Sequence, residues 1–114
     1  THQNSTAKDK INYVYAVFRQ TTATDNFERF NKIAGDLILK SQNRDTTVVN
    51  NWNSEIAEIK KSSAQNLENA GKLLEKQSGK VSSGDLGNLE KETTQSNSQI
   101  KRSINLFREI LKFL

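Results

Sequence analysis

Residues 49–74 read VNNWNSEIAEIKKSSAQNLENAGKLL and carry the plainest structural pattern in the chain. Apolar or small side chains recur there with spacings of three and four, at Val49, Trp52, Ile56, Ile59, Ser63, Leu67, Ala70 and Leu74. Such spacing places about one residue per turn on the same face of an α-helix. We therefore predict a long amphipathic helix over residues 46–78, capped at its start by Asp45 or Thr46.

The segment that follows supplies a turn and a further helix. Residues 78–84 read SGKVSSG, the one stretch rich in Gly and Ser, which predicts a chain reversal. Beyond it the spacing of three and four returns, at Leu86, Leu89, Thr93, Ser96, Ile100, Ile104, Phe107, Leu111 and Leu114. This pattern predicts a last helix over residues 85–114.

The segment before the middle helix contains two apolar stripes that do not share one face. The first is formed by Ile11, Val14 and Phe18, and the second begins at Phe27 and Phe30. Because no Gly or Pro separates them, we predict one helix over residues 7–41 with an irregularity near 21–25. A break at 21–25, which would give four helices, is the alternative. The polar residues 1–6 are expected to form a flexible N-terminal tail.

Taken together, the three segments predict the fold class. At 114 residues the chain is long enough for one core and too short for two domains. Because short loops make neighbouring helices antiparallel, we expect a single all-α domain over residues 1–114, an elongated antiparallel three-helix bundle. Only 33% of the residues are hydrophobic, but their helical periodicity favours a folded bundle over disorder.

The residue types that most enzymes and metal sites need are scarce. The chain has no Cys, and its single His lies at position 2, in the expected tail. The predicted bundle therefore lacks a thiolate nucleophile and an imidazole base or ligand. Carboxylate pairs such as Glu55 with Glu58 fall on polar faces. We expect a protein with no catalytic residues, no metal ligands and no cofactor.

The net charge of +4 raises the question of nucleic-acid binding. Lys and Arg are spread along the chain with Asp and Glu between them, and the longest basic runs are pairs of residues. A continuous basic stripe that could follow a phosphate backbone is not visible. The apolar runs are also far shorter than a membrane span.

Polar residues replace large apolar ones near the middle of all three predicted helices. In an antiparallel arrangement the midpoints come level, and they carry Thr21, Thr24, Ser63, Thr93 and Ser96, which we call the polar waist. Small side chains let helices approach closely, with hydroxyls bonded to the preceding turn, and this is the favoured interpretation. Polar positions that specify register, and a pocket for a ligand, an ion or water, are the alternatives.

The end of the last helix is apolar on more than one face. One neighbouring face cannot cover Leu106, Ile110, Phe113 and Leu114 together with Phe107. We therefore expect some of the first four to contact a protein partner or a second copy of the chain. The alternative is that the first helix wraps around and covers them.

These patterns favour a non-enzymatic protein-interaction module that presents a helix face to a protein partner or forms a homo-oligomer. The richness in Asn, Ser and Lys and the start at Thr1 lead us to expect the soluble domain of an exported or surface-anchored protein, such as a lipoprotein. The alternative is an extracytoplasmic ligand-sensing bundle of a membrane receptor, whose membrane segment lies outside this chain. A basic nucleic-acid-binding helical protein is a third, weaker interpretation, and no small-molecule substrate is expected.

Overall fold

In a computed structural model, the protein consists of three long helices joined by two short loops. The structure describes residues 2–114, and it describes side chains from residue 7 onward. The helices are α1 (His2–Lys40), α2 (Thr46–Glu75) and α3 (Ser83–Phe113). Each helix packs against both others, with α2 antiparallel to α1 and α3. The bundle is a rod of 64 × 17 × 16 Å, and the predicted all-α three-helix fold is confirmed.

Capping side chains set the starts of α2 and α3. The Asp45 carboxylate accepts hydrogen bonds from the backbone N–H groups of Thr47 and Val48, at 2.9 and 3.2 Å. The Ser82 hydroxyl accepts one from the N–H of Asp85 at 3.2 Å. Both contacts occupy donors that the first turn of a helix leaves free. The predicted ranges 46–78 and 85–114 are therefore correct to within a few residues.

α1 is a single helix of 39 residues that passes through residues 21–25 without a break, so the four-helix alternative does not apply. Its buried residues share one continuous face: Asn12, Ala16, Ala23, Phe30, Ala34, Leu37 and Ser41, the last just past its end. The first predicted stripe, at Ile11, Val14 and Phe18, points outward instead. The mismatch between the two stripes therefore reflects one exposed and one buried stripe, and no irregularity in the helix is needed to explain it.

The core consists of two apolar clusters separated by the polar waist. The larger cluster contains Phe30, Trp52, Ile59, Phe107 and Ile110, among others, and its aromatic rings are in contact. The ring centroids of Phe30 and Phe107 are 5.8 Å apart. The predicted burial of Trp52 is confirmed, since its side chain is 4% exposed. The smaller cluster, at the opposite end, is built on Ala16, Ala70, Val81 and Leu89.

The loop between α2 and α3 is attached to the side of α1. The backbone N–H of Val81 donates to the carbonyl of Asp9 at 2.9 Å. The side-chain amide of Asn12 donates to the carbonyl of Val81 at 3.0 Å, and both Asn12 and Val81 are buried. A buried polar group is tolerated when it is hydrogen-bonded in this way. The loop therefore requires a polar residue at position 12, on the inner face of α1.

α1 begins at His2, five residues before the predicted start at residue 7, so the backbone of residues 2–6 belongs to the helix. The flexibility expected for residues 1–6 is not tested and stays a prediction, and the side chains of these residues lie outside the described part of the chain.

Candidate interaction surface on the first helix

Four large apolar residues lie on the outer face of α1 in two successive turns. Ile11, Val14 and Phe18 are 67%, 68% and 68% exposed, and Tyr15 is 45% exposed. We call these four residues the α1 apolar strip. Single apolar residues are common on protein surfaces, but a contiguous group of this kind marks a site of interaction in many soluble proteins.

At this end the inner face of α1 carries small and polar residues, with Tyr13 packed at the side of the smaller core cluster. Ala16 packs in the smaller core cluster and Asn12 binds the carbonyl of Val81. One turn further on, the amide of Gln20 donates to the carbonyl of Leu67 in α2 at 3.1 Å. These contacts bring the backbones of the helices and the loop close to α1, and the four strip residues lie on the other side of the helix.

The strip forms the wall of two adjoining depressions. The larger, of about 520 Å³, is lined by Lys10 and by all four strip residues, Ile11, Val14, Tyr15 and Phe18. A smaller one, of about 150 Å³, lies between Phe18 and α3 and is lined by Tyr15, Phe18, Arg19, Thr22 and Asn97. Tyr15 and Phe18 border both depressions, and the larger one is an open surface between side chains of α1 alone.

Arg19 holds the ring of Tyr15 in place. Its guanidinium group donates to the hydroxyls of Thr93 and Thr94 in α3, at 3.2 and 2.8 Å, and to the carbonyl of Glu90 at 3.4 Å. The same group donates to the Tyr15 hydroxyl at 3.4 Å and lies 5.8 Å from the centre of its ring. A cation over an aromatic face stabilises this position further. The aromatic part of the strip is therefore ordered before any partner binds.

The borders of the strip are positively charged. Lys10 lies on one side and Arg19 on the other, and α1 has no acidic residue between Asp9 and Asp25. Within residues 7–114 the one ion pair, Lys72 with Glu68 at 3.2 Å, lies elsewhere on the rod. Lys10 and Arg19 thus carry charges that no described carboxylate pairs.

Three of the five polar-waist residues are buried between the helices. Ser63, Thr93 and Ser96 are inside, Thr24 is half-buried and Thr21 is exposed. The placement of Thr21 in the interior was wrong, because Ala23 and not Thr21 lies on the buried face of α1. None of the five residues lines the larger depression beside the α1 apolar strip.

The buried hydroxyls mostly bond to nearby carbonyls. Ser63 donates to the carbonyl of Ser96 at 3.4 Å, and Thr93 to the carbonyl of Leu89 at 3.0 Å. The Thr93 bond runs to the preceding turn of its own helix, as the favoured interpretation expects, whereas the Ser63 bond runs from α2 to α3. The Ser96 hydroxyl is the exception, since its oxygen is buried without a hydrogen-bond partner among the described residues.

The C-terminal candidates divide between core and surface. Leu106 and Ile110 are buried in the larger core cluster, so the expectation that they stay available to a partner was wrong. α1 covers them, as the alternative held, because Phe30 and Leu37 pack in the same cluster. Leu114 is half-buried, and Phe113 is 47% exposed, with its ring centroid 5.3 Å from that of Trp52 and the two rings nearly perpendicular. The C-terminal end therefore keeps free apolar surface at Phe113 and at Leu111, which is 59% exposed, but not at Leu106 or Ile110.

Sequence reasoning missed the α1 apolar strip as a surface, although its signal was visible. The stripe of Ile11, Val14 and Phe18 was out of phase with that of Phe27 and Phe30. On one straight helix, two stripes out of phase cannot both face the same core. The sequence did not show which of the two was buried, because Asn12, which lies on the buried side, is usually a surface residue type.

Comparison with protein-family models, with curated proteins and with solved structures found no match to this chain. Over the described residues, none of the helices combines the length and apolar character needed to cross a membrane. The same residues contain no cluster of three or more His, Cys, Asp or Glu side chains suited to a metal ion.

Proposed function

We propose that this protein is a non-enzymatic interaction module that binds a protein partner through the α1 apolar strip. The proposal rests on one observation. The side chains of Ile11, Val14 and Phe18, on adjacent turns of one helix, are each about two-thirds exposed. A folded chain gains nothing from leaving such side chains in water, since burial of each would contribute about 1.5–3 kcal/mol. A partner that covers them recovers that free energy.

The residue types of the strip support a binding site over a set of apolar side chains that the surface merely tolerates. Tyr and Arg are enriched among the residues that contribute most to protein interfaces. Here Arg19 fixes Tyr15 in the free protein, which lowers the entropy cost of ordering that side chain on binding. The strip covers only two turns of helix, so we expect an interface at the small end of the usual range, typical of transient complexes.

Site-specific photo-crosslinking tests the proposal. A photoreactive amino acid is placed at Phe18, and in a matched variant at Ala64, an exposed residue on a different helix, α2. After irradiation in extracts of the source cells, we expect a discrete protein adduct from position 18 and not from position 64. The adduct should disappear when Val14 is changed to Asp in the same chain. Equal products from both positions, or an adduct that persists with Val14→Asp, would refute the proposal.

A further inference from the structure

We propose that the partner presents an amphipathic helix to the α1 apolar strip, with Asp or Glu side chains on both sides of its own apolar face. This inference rests on the proposed function and names the chemistry of the partner.

The first step is the charge at the borders of the strip. Lys10 and Arg19 are nine residues apart, which on a helix of 100° per residue places them on opposite sides. The acceptors of the Arg19 guanidinium are hydroxyl and carbonyl oxygens, all of them neutral. Both borders thus keep their positive charge, and a ligand with carboxylates on its two edges complements them.

The second step is the shape of the strip. From Ile11 to Phe18 it measures about 10 Å at 1.5 Å per residue, which is two turns of helix. Two helices that cross at an angle touch over a similar length, with the side-chain ridge of one in the groove of the other. Tyr15 and Phe18 project from the exposed side of α1 between the two depressions and can serve as such a ridge.

Two other occupants fit the charges less well. A second copy of the chain would bring the same basic borders together, and like charges across an interface disfavour association. An anionic membrane would lie along a longer stretch of α1, where the line of Phe18 continues with the exposed residues Asp25, Arg29, Lys32 and Asp36, so two carboxylates would offset the attraction of the two basic residues. A short helix that crosses α1 contacts residues 11–18 and avoids those carboxylates.

A displayed library of helical peptides provides the test. All members share apolar residues at every third and fourth position, and their flanking positions are free to be Glu, Gln or Lys. The library is selected on the intact protein and counter-selected on Phe18→Asp. We expect Glu at the flanks of the recovered peptides, and a Glu-flanked peptide should bind about fivefold more tightly than its Gln counterpart at low salt, with the advantage falling as salt rises.

Charge exchange completes the experiment. In Lys10→Glu the preference for Glu at the facing flank should disappear or turn to Lys, whereas the matched variant Lys60→Glu, on the exposed surface of α2, should leave it unchanged.

Peptides recovered without any flank preference would overturn the inference while leaving the proposed function intact, since binding would still depend on Phe18. Recovery of no Phe18-dependent peptide, together with a Phe18-dependent dimer in sedimentation, would assign the strip to a second copy. Phe18-dependent binding to phosphatidylglycerol vesicles without peptide binding would assign it to a membrane and overturn both proposals.

Discussion

Thr93 and Ser96 lie three residues apart on the inner face of α3, yet their hydroxyls have different surroundings. The Thr93 oxygen accepts from Arg19 and donates to the carbonyl of Leu89, whereas the Ser96 oxygen is buried without a partner among the described residues. Burial of an unpaired hydroxyl costs free energy, and burial of a paired one does not. The two positions should therefore respond oppositely to the loss of the hydroxyl.

We expect Ser96→Ala to leave the free energy of unfolding unchanged or to raise it by up to about 1 kcal/mol. Thr93→Ala should lower it by about 1–2 kcal/mol, because a hydrogen-bonded oxygen and a packed methyl group are both removed. Urea unfolding followed by circular dichroism measures both values. An equal loss in the two variants would show that Ser96 finds a partner in solution.

Gly79 is the residue whose backbone conformation restricts its identity. Its φ is +78°, in the left-handed region, and it lies in the loop between α2 and α3. Because a Cβ there meets no atom within 4 Å, backbone strain alone determines the effect of a side chain. We expect Gly79→Ala to destabilise the protein by about 1–2 kcal/mol in urea unfolding.

Gly87 provides the matched control for that prediction. It is exposed within α3, and a Cβ added to it also meets nothing within 4 Å. Ala is the better helix former, so Gly87→Ala should raise the free energy of unfolding by about 0.5–1 kcal/mol. A stabilising Gly79→Ala would contradict the left-handed conformation of the loop.

At the scale of the element, α1 differs from the other two helices. In α2, and in α3 as far as Ile100, the stripe read from the sequence is the one that faces the core. Beyond Ile100 the predicted stripe was wrong at Ile104 and Leu111, because these residues are exposed and the buried positions are Ser103, Leu106, Phe107 and Ile110. In α1 the sequence contains two apolar stripes, and only the one that includes Phe30 faces the core. The first half of α1 therefore contacts the bundle through Asn12, Tyr13, Ala16 and Arg19, whereas Ile11, Val14 and Phe18 remain largely exposed.

This difference predicts contrasting effects of two Phe substitutions in α1. Phe18→Ser should change the free energy of unfolding by no more than about 0.5 kcal/mol, because the side chain is largely exposed. Phe30→Ala should lower it by about 3–5 kcal/mol, because a buried ring in contact with Phe107 leaves a cavity. Thermal and urea unfolding of the two variants measure the contrast. A large loss in Phe18→Ser would mean that the strip packs inside the protein.

At the scale of the whole molecule, the two ends of the rod are built differently. The end that contains Trp52 holds three buried aromatic rings, whereas the end at Val81 relies on Ala16, Ala70 and Leu89. The free energy gained on folding scales with the apolar area that is buried. Local opening should therefore require less free energy at the Val81 end, which also carries the α1 apolar strip.

Amide hydrogen exchange tests this asymmetry. We expect the amides around Ala34 and Ile56 to exchange only through global unfolding, and those around Ala16 and Leu89 to exchange at least about tenfold faster, through local opening. The fluorescence of Trp52 should report the global transition. Equal exchange rates at the two ends would contradict this prediction, because they would mean that the whole rod, including the polar waist, opens as one cooperative unit.

The sequence by itself determined that this chain forms three long helices, where α2 begins, and that residues such as Trp52 and Ile59 are buried. Helical periodicity, caps and turn residues act locally, so they can be read from neighbours in the chain. Only the tertiary structure decided which side of α1 faces inward. That choice depends on a contact with Val81, which lies 69 positions from Asn12 in the chain. The side-chain amide of Asn12 donates a hydrogen bond to the carbonyl of Val81. Because such a contact joins distant parts of the chain, no local pattern around Ile11, Val14 and Phe18 reveals that they lie on the surface.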